Sequence, residues 1–144
     1  MKTITIATPT FTGDVAHEYA GSLVNTGFDL ASRGVIMQVN FISGNAYLGL
    51  ARNQLAAEFL KGESSDLVFI DADLSYESDA VAKLLSYDRD IVAGLYPMKK
   101  DEEEYPARVL GVKPDSDFCP PKVDPETGLI ELDGAPTGFM RSRR

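Results

Sequence analysis

The sequence predicts an α/β fold: a three-layer domain with a mostly parallel central sheet, flanking helices, and short antiparallel strands near the C-terminus. Three observations carry this expectation. Apolar, β-branched runs alternate with segments of helical periodicity through residues 2–96. Glycines close the first two helical segments, at Gly34 and Gly62. The third apolar run, Leu67-Val-Phe-Ile-Asp71-Ala-Asp73, is too short for a helix and stops at two carboxylates, the pattern of a buried central strand leaving its sheet.

Taken in order, residues 2–8 alternate through Thr3, Ile4, Thr5 and Ile6 and form the first strand. Pro9 bars continuation of a central ladder, so residues 8–13 are a loop. Thr12 or Asp14 caps a helix over 15–32 whose apolar side is Val15, Tyr19, Leu23, Val24 and Ala31. Residues 35–42 are the second strand and Ser43-Gly-Asn45 a turn. A helix over 48–61 follows, with Leu48, Ala51, Leu55 and Phe59 on one face. After the carboxylate strand comes a helix over 78–86 using Val81, Leu84 and Leu85, then a strand over 90–96 cut by Pro97. Beyond Met98 the character changes. Residues 99–104 are a charge block expected to be a solvated loop. Residues 105–112 and 129–132 read as antiparallel strands, and Asp124-Pro-Glu-Thr-Gly128 as a turn joining Lys122-Val123 to Leu129-Ile130. Pro114, Pro120 and Pro121 enforce irregular chain between them. The tail is glycine-rich and then basic.

A chain of 144 residues fits one domain, here a core over about 1–98 and an irregular segment over 99–144. Hydrophobic content of 44% and charged content of 25% are ordinary for a globular protein. A formal charge of −8 argues against a nucleic-acid binder, which needs a basic face. No apolar stretch approaches the length of a membrane span. The start leads straight into a strand rather than a signal peptide, and Cys119 is alone, so a cytoplasmic, reducing setting is expected.

The chemistry concentrates at Asp71 and Asp73. Side chains alternate faces along an extended chain, so the two carboxylates point to one side if the strand persists through Ala72. Like charges that close are reconciled by a divalent cation, Mg²⁺ or Mn²⁺, bound through hard oxygen ligands. Ligands of open α/β sheets bind beyond the carboxyl ends of the strands, where this pair lies. Against this stands the plain reading: among 22 acidic residues Asp-x-Asp arises by chance, and strands often end in a solvated Asp that caps a turn.

Context adds to the pair. Gly49-Leu-Ala-Arg52-Asn53, a helix, Gly62, Asp66, the apolar strand and Asp71-Ala-Asp73, then Asp90-Ile-Val-Ala-Gly-Leu-Tyr-Pro97, together resemble the inverting family 2 glycosyltransferases of GT-A fold. The resemblance runs from about residue 3 to residue 97. It implies metal-dependent binding of a nucleotide-diphospho-sugar, a UDP- or GDP-sugar, and transfer of the sugar to an unknown acceptor. In that reading Thr8, Pro9, Thr10 and Ser43 touch the nucleoside and Arg52 and Asn53 lie near the nucleotide. Asp71, Ala72 and Asp73 face the donor, with Asp71 and Asp73 the metal ligands. Structural alternatives stay open: Arg52 pairing with Glu58 or Asp66, Thr8-Pro-Thr10 as a plain turn, Lys99 and Lys100 solvated rather than reaching a phosphate, His17 as surface or core filler, and Tyr96 and Phe139 as core rather than stacked on a sugar or base.

Departures from the family matter. Phe41-Ile-Ser-Gly-Asn45 lacks the Asp usually found in the turn that holds the base. No general base has motif support, although Glu131, Asp133 or the acidic group at 102–104 could supply one. The family's acceptor-side strand resembles Thr137-Gly-Phe-Met140, but Arg141-Ser-Arg-Arg144 replaces its apolar continuation. A truncated or minimal member follows, and a homodimer would hide apolar surface left uncovered. The alternatives are a non-catalytic nucleotide-sugar or metal-binding module and, behind it, a sugar-phosphate nucleotidyltransferase, which would need a glycine-rich basic loop where Thr8-Pro-Thr-Phe-Thr-Gly13 stands.

Overall fold

A computed structural model describes residues 1–98, 104–109 and 122–144. In chain order the elements are β1 (Lys2–Pro9), α1 (His17–Ser32), β2 (Val35–Ile42), α2 (Leu48–Lys61), β3 (Asp66–Ile70), α3 (Ala80–Ser86), β4 (Ile91–Ala93), β5 (Arg108–Val109), β6 (Leu132–Gly134) and β7 (Phe139–Arg143). Five strands form one sheet in the order β2-β1-β3-β7-β4, and β5 and β6 form a separate antiparallel pair. β1 is parallel to both β2 and β3. β7 is antiparallel to β3 and to β4. The α/β expectation holds in this coarse form. The sheet is mixed, because the last strand runs against its two neighbours.

Alternation explains the layers. β3 is buried at every position, and its side chains divide between two cores. Val68 and Ile70 join Ile4, Ile6, Tyr19, Leu30, Val81 and Phe139 on the face of α1 and α3. Leu67 and Phe69 join Ala7, Leu55 and Phe59 on the face of α2.

The helices follow their sequence signals with shifted stripes. α1 opens at His17 from Ala16, with no side-chain cap, so neither Thr12 nor Asp14 fills the expected role. The Ala16 N–H instead bonds the Ala72 carbonyl at 2.9 Å. Its buried positions are Tyr19, Ser22, Thr26 and Leu30, while Val24 and Ala31 are exposed. The spacing is helical, but two hydroxyl residues occupy the inward stripe, and the Ser22 hydroxyl accepts the Tyr76 N–H at 3.0 Å. α2 keeps its expected bounds and buries Ala51, Leu55 and Phe59, with Leu48 exposed. α3 begins two residues later than expected and β4 is confined to Ile91–Ala93. Val123 bridges Ile130 across the Asp124–Gly128 turn, where Gly128 adopts a φ of 71° and the Asp124 carboxylate accepts the Glu126 N–H. The strands expected over 105–112 and 129–132 are reduced to β5 and β6, and residues 110–112 lie outside the described residues, as do 99–103, Pro114, Cys119, Pro120 and Pro121.

The tail departs most from expectation. The core is not confined to residues 1–98, because β7 lies between β3 and β4. The basic run is structural. Arg141 is 1% exposed and its Nε donates to Asp66 Oδ1 at 2.5 Å. Asp66, also 1% exposed, receives the Lys2 ammonium at 2.9 Å and the Ser65 hydroxyl at 2.7 Å on its other oxygen. Arg141 further donates to the Arg89 carbonyl. Arg143 pairs with Asp88, and Arg144 donates to the Leu60 and Gly62 carbonyls at the end of α2. Among the described residues no helix is long and apolar enough to cross a membrane.

Burial alone raises the pKa of Asp66, but the hydrogen bonds from Ser65, Lys2 and Arg141 outweigh it and hold the carboxyl below its ordinary value. Its contribution to stability is therefore complete above the unfolded value of about 3.9 and is lost as pH falls through the lower folded value. Removing one member of a buried pair strands the other. Arg141→Met is expected to cost about 3–5 kcal/mol in urea denaturation at neutral pH, and Asp66→Asn to flatten the acid limb of the stability profile. A parent-like urea midpoint for Arg141→Met would show that the pair does not hold the sheet.

Candidate functional site

The carboxyl ends of β1, β2 and β3 meet in a group of interlocked loops. The Phe11 carbonyl accepts the Gly44 N–H at 3.1 Å, tying the loop after β1 to the turn after β2. The Ala72 carbonyl holds the start of α1. The Asp71 N–H donates to the Gly138 carbonyl at 2.8 Å, which ties the end of β3 to the residue before β7. The antiparallel register makes this join: Ile70 pairs with Phe139, so Gly138 lies beside Asp71.

Asp71 is fixed from two sides. Arg52 reaches from α2 and donates from Nη2 to Asp71 Oδ1 at 2.7 Å, with the side chains 18% and 29% exposed. Glu58 pairs with Lys61 and Asp66 with Arg141, so the alternative partners for Arg52 are taken. The Arg52 Nε is buried and has no hydrogen-bond partner among the described residues. On the other side lies Gly138, so close that a side chain there would force its neighbours to shift. A Cβ there would collide with the second Asp71 oxygen and with the Tyr96 hydroxyl.

The extended backbone does not persist through Ala72. It ends at Ile70, and the Leu74 N–H returns to the Asp71 carbonyl at 3.2 Å in a turn. The alternation argument for the two carboxylates therefore fails. They share surroundings through the turn instead: burial first, then the Asp71 charge, and more weakly that of Asp73, push the Tyr96 phenol above its ordinary range, while the Gly138 backbone and Arg52 pull the other way. Tyr96 thus stays protonated near neutral pH and can donate. Asp73 is exposed.

The remaining expected site residues divide. Thr8 is fully buried and its hydroxyl pairs with that of Tyr19 at 2.5 Å, so it supports the loop rather than meeting a ligand. Pro9 is buried, and Thr10 bonds the Ile42 carbonyl through both its N–H and its hydroxyl. As they stand, these three offer a ligand little side-chain surface. Ser43 is exposed, with Gly13 packed near its Cβ. Asn53 is exposed beside Arg52 on α2, and Ala72 is half-buried. His17 is exposed and pairs with Glu18. Phe139 is core, where it packs against Tyr76 with ring centroids 5.1 Å apart. Glu131 and Asp133 line a cleft of about 910 Å³ along β4, whose walls include neither Asp71 nor Asp73. Lys99 and Lys100 lie outside the described residues, as do Asp101, Glu102 and Glu103.

Three features escaped sequence reasoning. Tyr96 borders the carboxylates and also a cavity of about 210 Å³ shared with Leu74, Tyr76, Leu95 and Phe139. Gly138 is the spacer that lets Asp71 and Tyr96 approach; its one sequence signal is a glycine immediately before a strand. Phe11, Phe41 and Tyr47 stand exposed around the ends of β1 and β2.

The donor set sets limits on a cation. Among the described residues no three His, Cys, Asp or Glu are placed to hold a metal. Two carboxylates, one pinned and one exposed, suit a hard cation that takes the rest of its shell from water and phosphate, not a closed protein site. Compared with known proteins, the chain matches no family model, no curated protein and no solved structure.

The tight fit at Gly138 is testable. Gly138→Ala is expected to cost about 1–3 kcal/mol by urea denaturation, as overpacked positions do. Gly134→Ala, where the nearest neighbours of a Cβ lie at 3.7 Å, is the control expected to remain close to the parent. Equal stability of the two variants would refute the packing described for Asp71 and Tyr96.

Proposed function

We propose that the loops at the carboxyl ends of β1, β2 and β3 bind a nucleotide-diphospho-sugar with Mg²⁺ or Mn²⁺, and that the protein transfers the sugar to an acceptor as a glycosyltransferase-like enzyme of GT-A type. The single observation that carries this reading is Asp71, locked by Arg52 and Gly138 at the end of a fully buried strand, with Asp73 exposed two residues on. A lone solvated Asp at a strand end needs neither a half-buried arginine partner nor so close a glycine contact.

Each residue has a role in this reading. Asp73 holds the cation against the diphosphate. Asp71 faces the ribose or the metal, and Arg52 keeps it aimed. The partnerless Nε of Arg52 has a hydrogen bond to give, and a phosphate oxygen would satisfy it. Ser43 and Asn53 border the nucleotide. The base stacks on exposed aromatic surface from Phe11 or Tyr47, which compensates for the missing Asp in the turn after β2. When bound, the cation neutralises charge that develops on the departing nucleoside diphosphate. The protonated Tyr96, beside Asp71, donates a hydrogen bond to a sugar hydroxyl.

A second reading, a nucleotide-sugar-binding module without transfer, is favoured by one observation: Glu131 and Asp133, which could have served as general base, line the other cleft. Assays of donor hydrolysis and transfer separate the two.

With Mn²⁺, a UDP- or GDP-sugar at about 100-fold above its dissociation constant is expected to raise Tm by roughly 5–10 °C. Asp73→Ala should abolish the metal-dependent part of that shift and leave the Tm of the free protein near the parent. Absence of a shift across a panel of nucleotide sugars, with and without metal, would sink the proposal.

A further inference from the structure

β2 is an edge strand, and among the described residues nothing pairs with its outer side. It runs for eight residues, Val-Ile-Met-Gln-Val-Asn-Phe-Ile, in unbroken register with β1. Edge strands are ordinarily blunted by lysine, proline or a bulge. This one has none of these and carries no charge at all.

The backbone shows which groups are unused. The Ile42 carbonyl accepts the Thr10 N–H, so residue 42 turns its backbone groups toward β1. Backbone groups alternate sides along a strand. Asn40, Gln38 and Ile36 therefore face β1 as well, and Val35, Met37, Val39 and Phe41 turn theirs outward.

We infer that this edge pairs antiparallel with the same edge of a second copy of the chain, joining two five-stranded sheets into one. The absence of charge along this strand leaves room for a second copy. The chain carries −8 overall, so most approaches of one copy to another are repulsive, whereas this strand meets itself without a charge on either side. A strand set antiparallel to itself is also self-complementary about a two-fold axis. With the axis at Gln38, the outward groups of Val35, Met37, Val39 and Phe41 all find partners. Val35 then lies opposite Phe41 of the partner subunit, and Met37 opposite Val39 of the partner subunit, apolar against apolar. Ile36 and Phe41, 45% and 52% exposed in the single chain, gain cover. Strand directions reverse across the axis, so the two carboxylate sites face opposite ways and both stay open.

Register gives the test. Gln38 meets its own copy at a non-hydrogen-bonded position, where Cα atoms approach to about 4.5 Å, within disulfide range. In a full-length Cys119→Ser background, Gln38→Cys is expected to oxidise to a covalent dimer. Asn40→Cys, which meets Ile36 of the partner subunit, should not. Sedimentation of the parent should give the mass of a dimer. Val39→Pro removes an outward N–H that no strand of its own sheet uses, and should sediment as a folded monomer. A monomeric parent up to near-millimolar concentration, equal cross-linking of the two cysteine variants, or a dimeric Val39→Pro would each overturn the inference. The cysteine pair decides the matter if the proline variant fails to fold.

Discussion

The sheet depends on a charge pair in its interior. Arg141 and Asp66 are each about 1% exposed, and isolating either from water would cost several kcal/mol. Each is held in a full set of contacts, Asp66 by Arg141, Lys2 and Ser65, and Arg141 by Asp66 and the Arg89 carbonyl. Hydrophobic burial alone would let β7 slide, since Phe139 and Met140 are both apolar. The ion pair does not. A slip by one residue would move Arg141 from the Val68 and Ile70 face to the opposite face, among Leu55 and Phe59. The pair therefore sets register, and register sets which residue precedes the strand next to Asp71.

Register in turn makes the site. With Phe139 opposite Ile70, Gly138 comes against Asp71, and a Cβ there would force Asp71 and Tyr96 to shift. Arg52 then closes on Asp71 from α2, a helix on the other face of the sheet from α1. The carboxylate is thus oriented by elements far apart in sequence, as positioned groups on rigid scaffolds usually are. Asp73, beyond the turn, is exposed. The division of labour between a fixed carboxylate and an accessible one follows from the turn at Ala72, which replaces the straight continuation that alternation implied.

Much of the architecture was legible because local signals were strong. Gly34 and Gly62 ended their helices, α2 kept both bounds, β2 kept both bounds, and the Asp124–Gly128 turn formed as its composition implied. Illegibility came from groups whose partners are remote. Ser22 and Thr26 do not look like core, yet they fill the inward stripe of α1. Arg141 in a basic tail reads as solvated until Asp66 is known to lie across from it. In the site, Arg52 and Asp71 stood out by motif, and the structure joins them. Tyr96 and Gly138 stood out for other reasons, but their proximity to Asp71 was not legible, because it is a product of β7 returning through the middle of the sheet. Thr8 failed for a related reason: its burial depends on Tyr19 from the following helix.

The place of β7 also has a kinetic consequence. β3 and β4 are made early, but neither touches the other; the strand that joins them is Phe139–Arg143. A folding chain can pair β1, β2 and β3, yet among the described strands β4 has no sheet neighbour until residues 139–143 are free to pair. Such distant closure lengthens the average loop and slows folding. Until then an unpaired side of β3 is open to any other strand at hand, so this protein is most vulnerable to misassembly before residues 139–143 take their place in the sheet.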